Sequence, residues 1–205
     1  MATKHNLPHG DSWIWVIPKI DERITMTEDE YREIWNLRPR NRPKGKMFGK
    51  EIAFPRWHAT YGQTYKFNGM DEEAQYISTH PYFKKIMKWV RGHSGILYGK
   101  IQEYRQLLVN WYGNGDDYIG PHSDDEPGLV ENSAIYSFSF GQERDFVVKS
   151  KDGEFRKVFK MANNSLIIMG GEMQKYYKHS VPKRSVKKCA KTRINMTMRL
   201  RQIGQ

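Results

Sequence analysis

Residues 193–200 read Arg193-Ile-Asn-Met-Thr-Met-Arg-Leu200, an alternation in which Ile194, Met196, Met198 and Leu200 fall on one side and Arg193, Asn195, Thr197 and Arg199 on the other. Successive side chains of a strand point to opposite faces, so the period of two predicts a strand with one buried apolar face and one polar face. Upstream, the runs 107–112, 134–140, 145–149 and 165–169 have the same β-type composition, and turn signals at 113–117 and 151–153 separate some of them. Several short strands divided by turns predict a sandwich or jelly roll, with the helical segments packed outside it.

Two helices are expected before these strands. Thr27 followed by Glu30 has the spacing of a capping box, and Tyr31, Ile34 and Trp35 then recur at three and four residues, so a short helix starts there and ends before Pro39. Pro81 suits a first helical position, and Phe83, Ile86, Met87 and Val90 share a face, which predicts a second helix from Pro81 to about Arg91. Between them, residues 39–46 (Pro-Arg-Asn-Arg-Pro-Lys-Gly-Lys) have turn formers and charge without periodicity and read as an exposed basic loop.

The 205 residues suit one domain, and 13% aromatics with 38% hydrophobic residues suit a globular chain. The net charge of +11 is concentrated in two tracts. Seven basic residues against the single acid Glu51 lie between Arg38 and Arg56, and eight with no acid between Val181 and Gln205. Such tracts suit nucleic acid, though charge alone also serves solubility. Cys189 is the only cysteine, which excludes an intrachain disulfide and a cysteine-based zinc site and suits a reducing compartment. No apolar stretch approaches the length of a membrane span, and a soluble, intracellular monomer without a membrane partner is expected.

His122-Ser-Asp124 places an imidazole and a carboxylate two residues apart in an extended segment, on the same side of the chain. His179 is the candidate third ligand, because two histidines and one carboxylate form the oxygen-activating iron(II) site with open coordination positions. A zinc hydrolase uses the same residue types, and a lone His179 could equally be a surface or capping residue. Arg193 and Arg199, with Asn195 and Thr197 between them, suit a dicarboxylate, although an ordinary exposed strand has the same pattern. Asn110 and Tyr112 share a strand face just upstream of the triplet and are placed to add hydrogen bonds to the same anion.

With these residues in view, the chain resembles the AlkB family, and among it the nuclear DNA-repair members. The matching stretches run in order over roughly residues 45 to 202: Met47-Phe-Gly-Lys, Pro55-Arg, Ala59-Thr-Tyr-Gly with Thr64-Tyr-Lys-Phe, Asn110-Trp-Tyr, Ile119-Gly-Pro-His-Ser-Asp-Asp-Glu, Ser137-Phe-Ser-Phe-Gly, Arg144-Asp-Phe-Val, His179-Ser-Val-Pro and Arg193-Ile-Asn-Met-Thr-Met-Arg. The resemblance implies an α+β, mainly β fold: a double-stranded β-helix (jelly roll) with flanking N-terminal helices and a nucleotide-recognition lid. It implies one domain over 1–205, with an N-terminal extension at 1–45, lid and finger at 46–70, and the jelly-roll core at 105–202.

The resemblance further implies Fe(II) on His122, Asp124 and His179, with 2-oxoglutarate held by Asn110, Tyr112, Arg193, Asn195, Thr197 and Arg199 and dioxygen as the second co-substrate. The implied activity is direct-reversal repair, the oxidative removal of alkyl groups from bases such as 1-methyladenine and 3-methylcytosine in DNA, releasing formaldehyde, succinate and carbon dioxide. Alternatives are an RNA demethylase of the same family and a basic nucleic-acid-binding protein without catalysis. Because an atom inside a stacked duplex is out of reach, the target base must be flipped out or already single-stranded. Met47, Phe48 and Gly49 correspond to the family's finger, an apolar wedge among basic residues; read alone, Phe48 could be a core residue. Tyr65 and Phe67, which alone could be core strand residues, together with Arg56, Asp125 and Glu126 complete the implied substrate contacts, the carboxylate of Asp125 suiting a cationic methylated base. The loop 148–156 is shorter than in the double-strand repair members, so single-stranded DNA and RNA stay open as substrates.

Overall fold

The computed structural model describes residues 1–47, 50–63, 65–67 and 70–202, with the side chains of 46–51 and 64–72 outside the described set. The chain runs β1 (Thr3–Asn6), β2 (Ser12–Ile17), α1 (Glu28–Asn36), β3 (Lys44–Met47), β4 (Lys50–Ala53), β5 (Trp57–Gly62), β6 (Tyr65–Phe67), β7 (Met70–Glu72) and α2 (Pro81–Tyr98). It continues with β8 (Gln106–Tyr112), β9 (Ile119–His122), β10 (Ile135–Gly141), β11 (Arg144–Ser150), β12 (Arg156–Met161), β13 (Ser165–Gly171), α3 (Met173–Tyr176), β14 (Tyr177–Val181) and β15 (Arg193–Arg199).

A seven-stranded sheet has the order β1-β2-β13-β10-β15-β8-β5, and a four-stranded sheet the order β12-β11-β14-β9. All named strand pairs in both are antiparallel, the arrangement of a jelly roll. The alternation read from the sequence of β15 recurs in its neighbours. Ile194, Met196 and Met198 join Tyr136, Phe138, Phe140, Leu107, Val109 and Trp111 in a core that also takes Phe83, Ile86 and Val90 of α2 and Ile34 of α1. The opposite face carries Ile135, Ile167, Met169 and Tyr112, which meet Phe146, Val148 and Val181 of the small sheet in a second core. Each sheet face is thus buried, the outer one by helices and the inner one by the other sheet.

The capping box at α1 forms as expected: Glu30 N donates to Thr27 Oγ1 at 3.2 Å and Thr27 N to Glu30 Oε2 at 2.9 Å. The Trp111 indole donates to the Ile34 carbonyl at 2.9 Å and fixes the helix end on the sheet. Helix α2 runs to Tyr98, a turn and a half or more beyond the expected end near Arg91. Gly92 and Gly95 signal a stop by propensity, but tertiary contacts override it: buried Ser94 accepts from Gln102 N at 2.9 Å, and Gly99, in a left-handed conformation, closes the helix. The basic segment 39–46 is a loop only to Pro43, since Lys44 already pairs with Ala53 in the β3–β4 hairpin. The N-terminal strands were not foreseen. Val16 of β2 pairs with Ile167 of β13, so residues before α1 are part of the large sheet.

Candidate metal and dicarboxylate site

His122 ends β9, and its register partner across the ladder is His179 of β14. That pairing brings the two imidazoles to 4.2 Å between centroids, and Asp124, two residues past the strand end, completes the group. His122 Nε2 lies 3.6 Å from Asp124 Oδ1 and His179 Nε2 3.7 Å from Asp124 Oδ2. These separations are too long for hydrogen bonds and near the roughly 3–3.5 Å expected of donors sharing one ion at about 2.1 Å. The donor atoms all lie within 4.8 Å of one another, the one such cluster among the described residues.

The protonation states suit a cation. Burial, aided by His122 and Arg199 and opposed by Asp124, pushes the His179 imidazole down to about 3, so it is neutral near pH 7. Burial alone would raise the Asp124 carboxyl, but Arg199 foremost, with His179 and His122, outweighs that and keeps it below the ordinary value. His122 Nδ1 lies 2.9 Å from the Gly120 carbonyl, which favours the tautomer that leaves Nε2 free. Around them, Ser123 Oγ donates to the Tyr177 carbonyl at 2.9 Å, Asp124 N donates to Gln174 Oε1 at 2.8 Å, and the Phe146 ring stacks on His179 at 5.3 Å.

A cavity of about 350 Å³ extends from this group between the two sheets. Strand register explains its other end: Arg193 faces Tyr112, Asn195 faces Asn110 and Thr197 faces Leu108 across the β15–β8 ladder. The polar face of β15 therefore lines the cavity with Asn110 and Tyr112, as the alternation required. Arg193 is 2% exposed; its Nη2 donates to Ser139 Oγ at 2.8 Å, while Nε and Nη1 have no acceptor among the described residues. The guanidinium sits 5.1 Å from the centre of the Tyr112 ring. Asn195 donates to Ser137 Oγ and the Phe138 carbonyl, and Thr197 Oγ1 donates to Asn195 Oδ1.

Arg199 differs from Arg193. Its guanidinium donates to Asp124 Oδ1 at 2.7 Å and to Glu126 Oε1 at 3.2 Å, so in this structure it holds carboxylates of the protein. Of the implied substrate contacts with described side chains, Arg56 lines the cavity and donates to Asn110 Oδ1 at 2.7 Å. Asp125 and Glu126 do not line it: Asp125 faces a neighbouring groove and lies 3.9 Å from Lys151, and Glu126 is buried against Arg199. With Asp124 turned inward, the next side chain of the extended segment turns outward. Phe48 and Gly49, and the side chains of Met47, Tyr65 and Phe67, lie outside the described residues.

Ser137, Ser139 and Gln174 were missed in the sequence. The serines carried a usable signal, because Ser-Phe-Ser-Phe repeats at the strand period and puts both hydroxyls on the inner face. Gln174, on the short α3, carried none. The donor set and the two free N–H groups of a buried arginine fit a divalent metal beside a dicarboxylate.

Among the described residues no helix is long and apolar enough to cross a membrane. Residues 29–199 match the 2OG-Fe(II) oxygenase superfamily. The chain is 34% identical over 165 residues to the human protein named DNA oxidative demethylase ALKBH2, covering 75% of this chain and 59% of that one. It is 30% identical over 222 residues to the Arabidopsis thaliana protein of the same name, covering 95% and 68%, and 30% identical over 157 residues to human alkB homolog 3, covering 71% and 51%. It thus spans less than two thirds of the length of either human relative. The structure of OsALKBH1 superposes with a TM-score of 0.61 at 16% identity over 97% of this chain and 100% of that one, a likeness of fold. Fe(II), 2-oxoglutarate and dioxygen are the metal and co-substrates that this superfamily implies, and by its sequence the chain belongs to the AlkB family of 2OG-Fe(II) oxygenases.

Proposed function

We propose that this chain is an oxidative demethylase of N-alkylated bases, such as 1-methyladenine and 3-methylcytosine, in DNA. The observation that carries the reading is one cavity with His122, Asp124 and His179 at one end and, at the other, the guanidinium of Arg193, whose Nε and Nη1 have no acceptor among the described residues. Fe(II) would be held by His122, Asp124 and His179, and when bound it supplies the activation of dioxygen, coupled to oxidation of 2-oxoglutarate to succinate and carbon dioxide, that hydroxylates an N-alkyl carbon. The hydroxylated alkyl group leaves as formaldehyde and the base is restored.

The protein's own groups supply position and charge. Arg193, seated on Tyr112 and held by Ser139, takes the distal carboxylate of 2-oxoglutarate, with Asn110, Asn195 and Thr197 as the polar wall beside it. Arg199 holds the Asp124 carboxylate in its ionised form and fixes its orientation. Phe146 and the apolar residues between the sheets exclude water from His179.

A nucleic-acid substrate agrees with where the two basic tracts meet. Arg42 bonds Asp117 and Lys183 bonds Asp116, so tracts some 140 residues apart in sequence flank one loop beside the cavity. Lys187, Lys188 and Lys191 are exposed there. Single-stranded substrates are favoured, because β11 and β12 are joined by a short turn at 151–155 that offers little to grip a second strand.

The test is mass spectrometry of oligonucleotides carrying one 1-methyladenine or 3-methylcytosine, single- and double-stranded, in DNA and RNA, with Fe(II) and with or without 2-oxoglutarate. Methyl loss that requires both additives is expected, faster on single strands. Succinate formation without methyl loss would overturn the substrate, and neither reaction in folded, metal-loaded protein would leave a binding protein.

A further inference from the structure

The β3–β4 hairpin is fastened at both of its ends to one loop, residues 113–118. On the entering side Arg42 Nη2 donates to Asp117 Oδ1 at 2.7 Å; on the leaving side Tyr118 N donates to the Pro55 carbonyl at 3.1 Å. The hairpin base is closed by Phe54 N to the Pro43 carbonyl at 2.9 Å. The loop itself is held from inside. Asp117 Oδ2 accepts from Gly113 N at 2.7 Å, and the buried Arg144 donates to the carbonyls of Asn114, Asp117 and Pro182.

Arg42 also lies 4.4 Å over the Trp57 ring, which in turn packs edge-on against Trp35 at the end of α1. Asp117 is only 2% exposed, and Arg42 is more than a third exposed. The same loop continues into β9, whose last residue is His122. The cavity mouth has Ile52 to Arg56 of the hairpin on one side and Tyr118 to His122 on the other. The two walls are therefore joined by the Arg42–Asp117 ion pair together with the backbone hydrogen bond from Tyr118 to Pro55.

We propose that Arg42 and Asp117 are a positioning pair that sets the β3–β4 hairpin at a fixed distance from the metal-bearing strand and so defines the mouth through which a nucleotide enters. Neither residue touches the cavity, and the pair acts through the hairpin. The proposal rests on the demethylase reading for the identity of the entrant but not for the fastening itself. A charge-assisted, half-buried hydrogen bond has the strength to bias a small hairpin, and the Trp57 face restricts Arg42 to one direction.

The test uses the full chain with Asp117→Asn, Arg42→Gln and the double variant. Three quantities are measured: affinity for a single-stranded oligonucleotide by fluorescence anisotropy, KM and kcat for demethylation, and succinate release without oligonucleotide. Each single variant is expected to weaken binding and raise KM about tenfold, the scale of one lost charge-assisted bond, with kcat and oligonucleotide-free succinate release unchanged. The double variant is expected to be no weaker than the weaker single one.

The sign of the Asp117→Asn effect discriminates. If Arg42 were simply a phosphate ligand restrained by Asp117, removing the acid would tighten binding to an anionic strand, and that result overturns the proposal. Additive losses, or a fall in succinate release, also overturn it, the latter by making the loop a prop for the metal strand. Should Asp117→Asn not fold, Arg42→Gln, at the more exposed partner, gives the same readouts. A parent chain that binds oligonucleotide without demethylating it would sink the proposed function while the affinity comparison still decides on the pair; no binding at all sinks both.

Discussion

Arg193 and Arg199 sit on the same face of one strand, six residues apart, and the protein treats them oppositely. Arg199 is bound by Asp124 and Glu126, whereas Arg193 keeps two N–H groups without acceptors and has the Tyr112 ring as its main compensation. A guanidinium stays charged even though burial disfavours it, so the protein without co-substrate carries a buried cation that has no carboxylate partner among the described residues. Arg193→Met, of similar volume, is therefore expected to leave the melting temperature unchanged or raise it when 2-oxoglutarate is absent. The same variant should lose the stabilisation that 2-oxoglutarate gives the parent, about 2.7 kcal/mol at a hundred times Kd. Anaerobic thermal denaturation of the metal-loaded protein with and without 2-oxoglutarate reads both. A large drop in the co-substrate-free variant would mean that the guanidinium is already satisfied by the protein and is not waiting for an anion. The sequence made both arginines visible as one polar face, but spacing alone did not distinguish the paired one from the free one. That difference depends on Asp124 and Glu126, brought from about 75 residues away.

At the scale of elements, the strands found from sequence were those whose two faces differ in polarity. β8, β10, β11, β13 and β15 end within two residues of the expected limits, because burial on one side and a polar or second apolar layer on the other leave a period of two. β9, Ile-Gly-Pro-His, and β14, Tyr-Lys-His-Ser-Val, are not among the strands expected from sequence, although they carry the two metal-site histidines. Their pairing comes from the sheet. Gly62, at the end of β5, is a further case in which backbone conformation and not pattern decides: its φ is +88°, and a Cβ there would lie 2.2 Å from the Arg105 carbonyl oxygen. Around it Gly62 N donates to the Gln75 carbonyl and Gln63 N to the Arg105 carbonyl, closing the base of the excursion that carries β6 and β7. Gly62→Ala is expected to cost about 2 kcal/mol or more, since both the positive φ and the close approach oppose it. It should also raise KM for oligonucleotide more than it lowers oligonucleotide-free succinate release. Denaturant titration and the two assays together check this, and an unchanged midpoint would mean that the turn relaxes without consequence.

Over the whole molecule, composition announced a strongly cationic chain but not where the charge would gather. The fold answers by folding the segment 182–192 over Gly115, whose amide donates to the Cys189 carbonyl and whose carbonyl accepts from Arg184 N, close to where Arg42 meets Asp117. Several of the basic side chains there are spent on structure: Arg184 and Lys160 on Asp145, Lys183 on Asp116, Arg144 on backbone carbonyls. Lys187, Lys188 and Lys191 remain exposed and carry no part of the cavity. If they meet the backbone of a single strand, each neutralised phosphate contributes about 0.7 to the slope of log affinity against log salt. Replacing all three by glutamine is then expected to reduce that slope by about 2, weaken binding at low salt more than at high salt, and leave kcat at saturating substrate unaltered. Anisotropy titrations over a fourfold range of salt measure the slope. An unchanged slope would place the nucleic-acid path elsewhere on the surface, whereas a fall in kcat would mean that the segment acts on the cavity through Arg184 and the 113–118 loop and not on the strand.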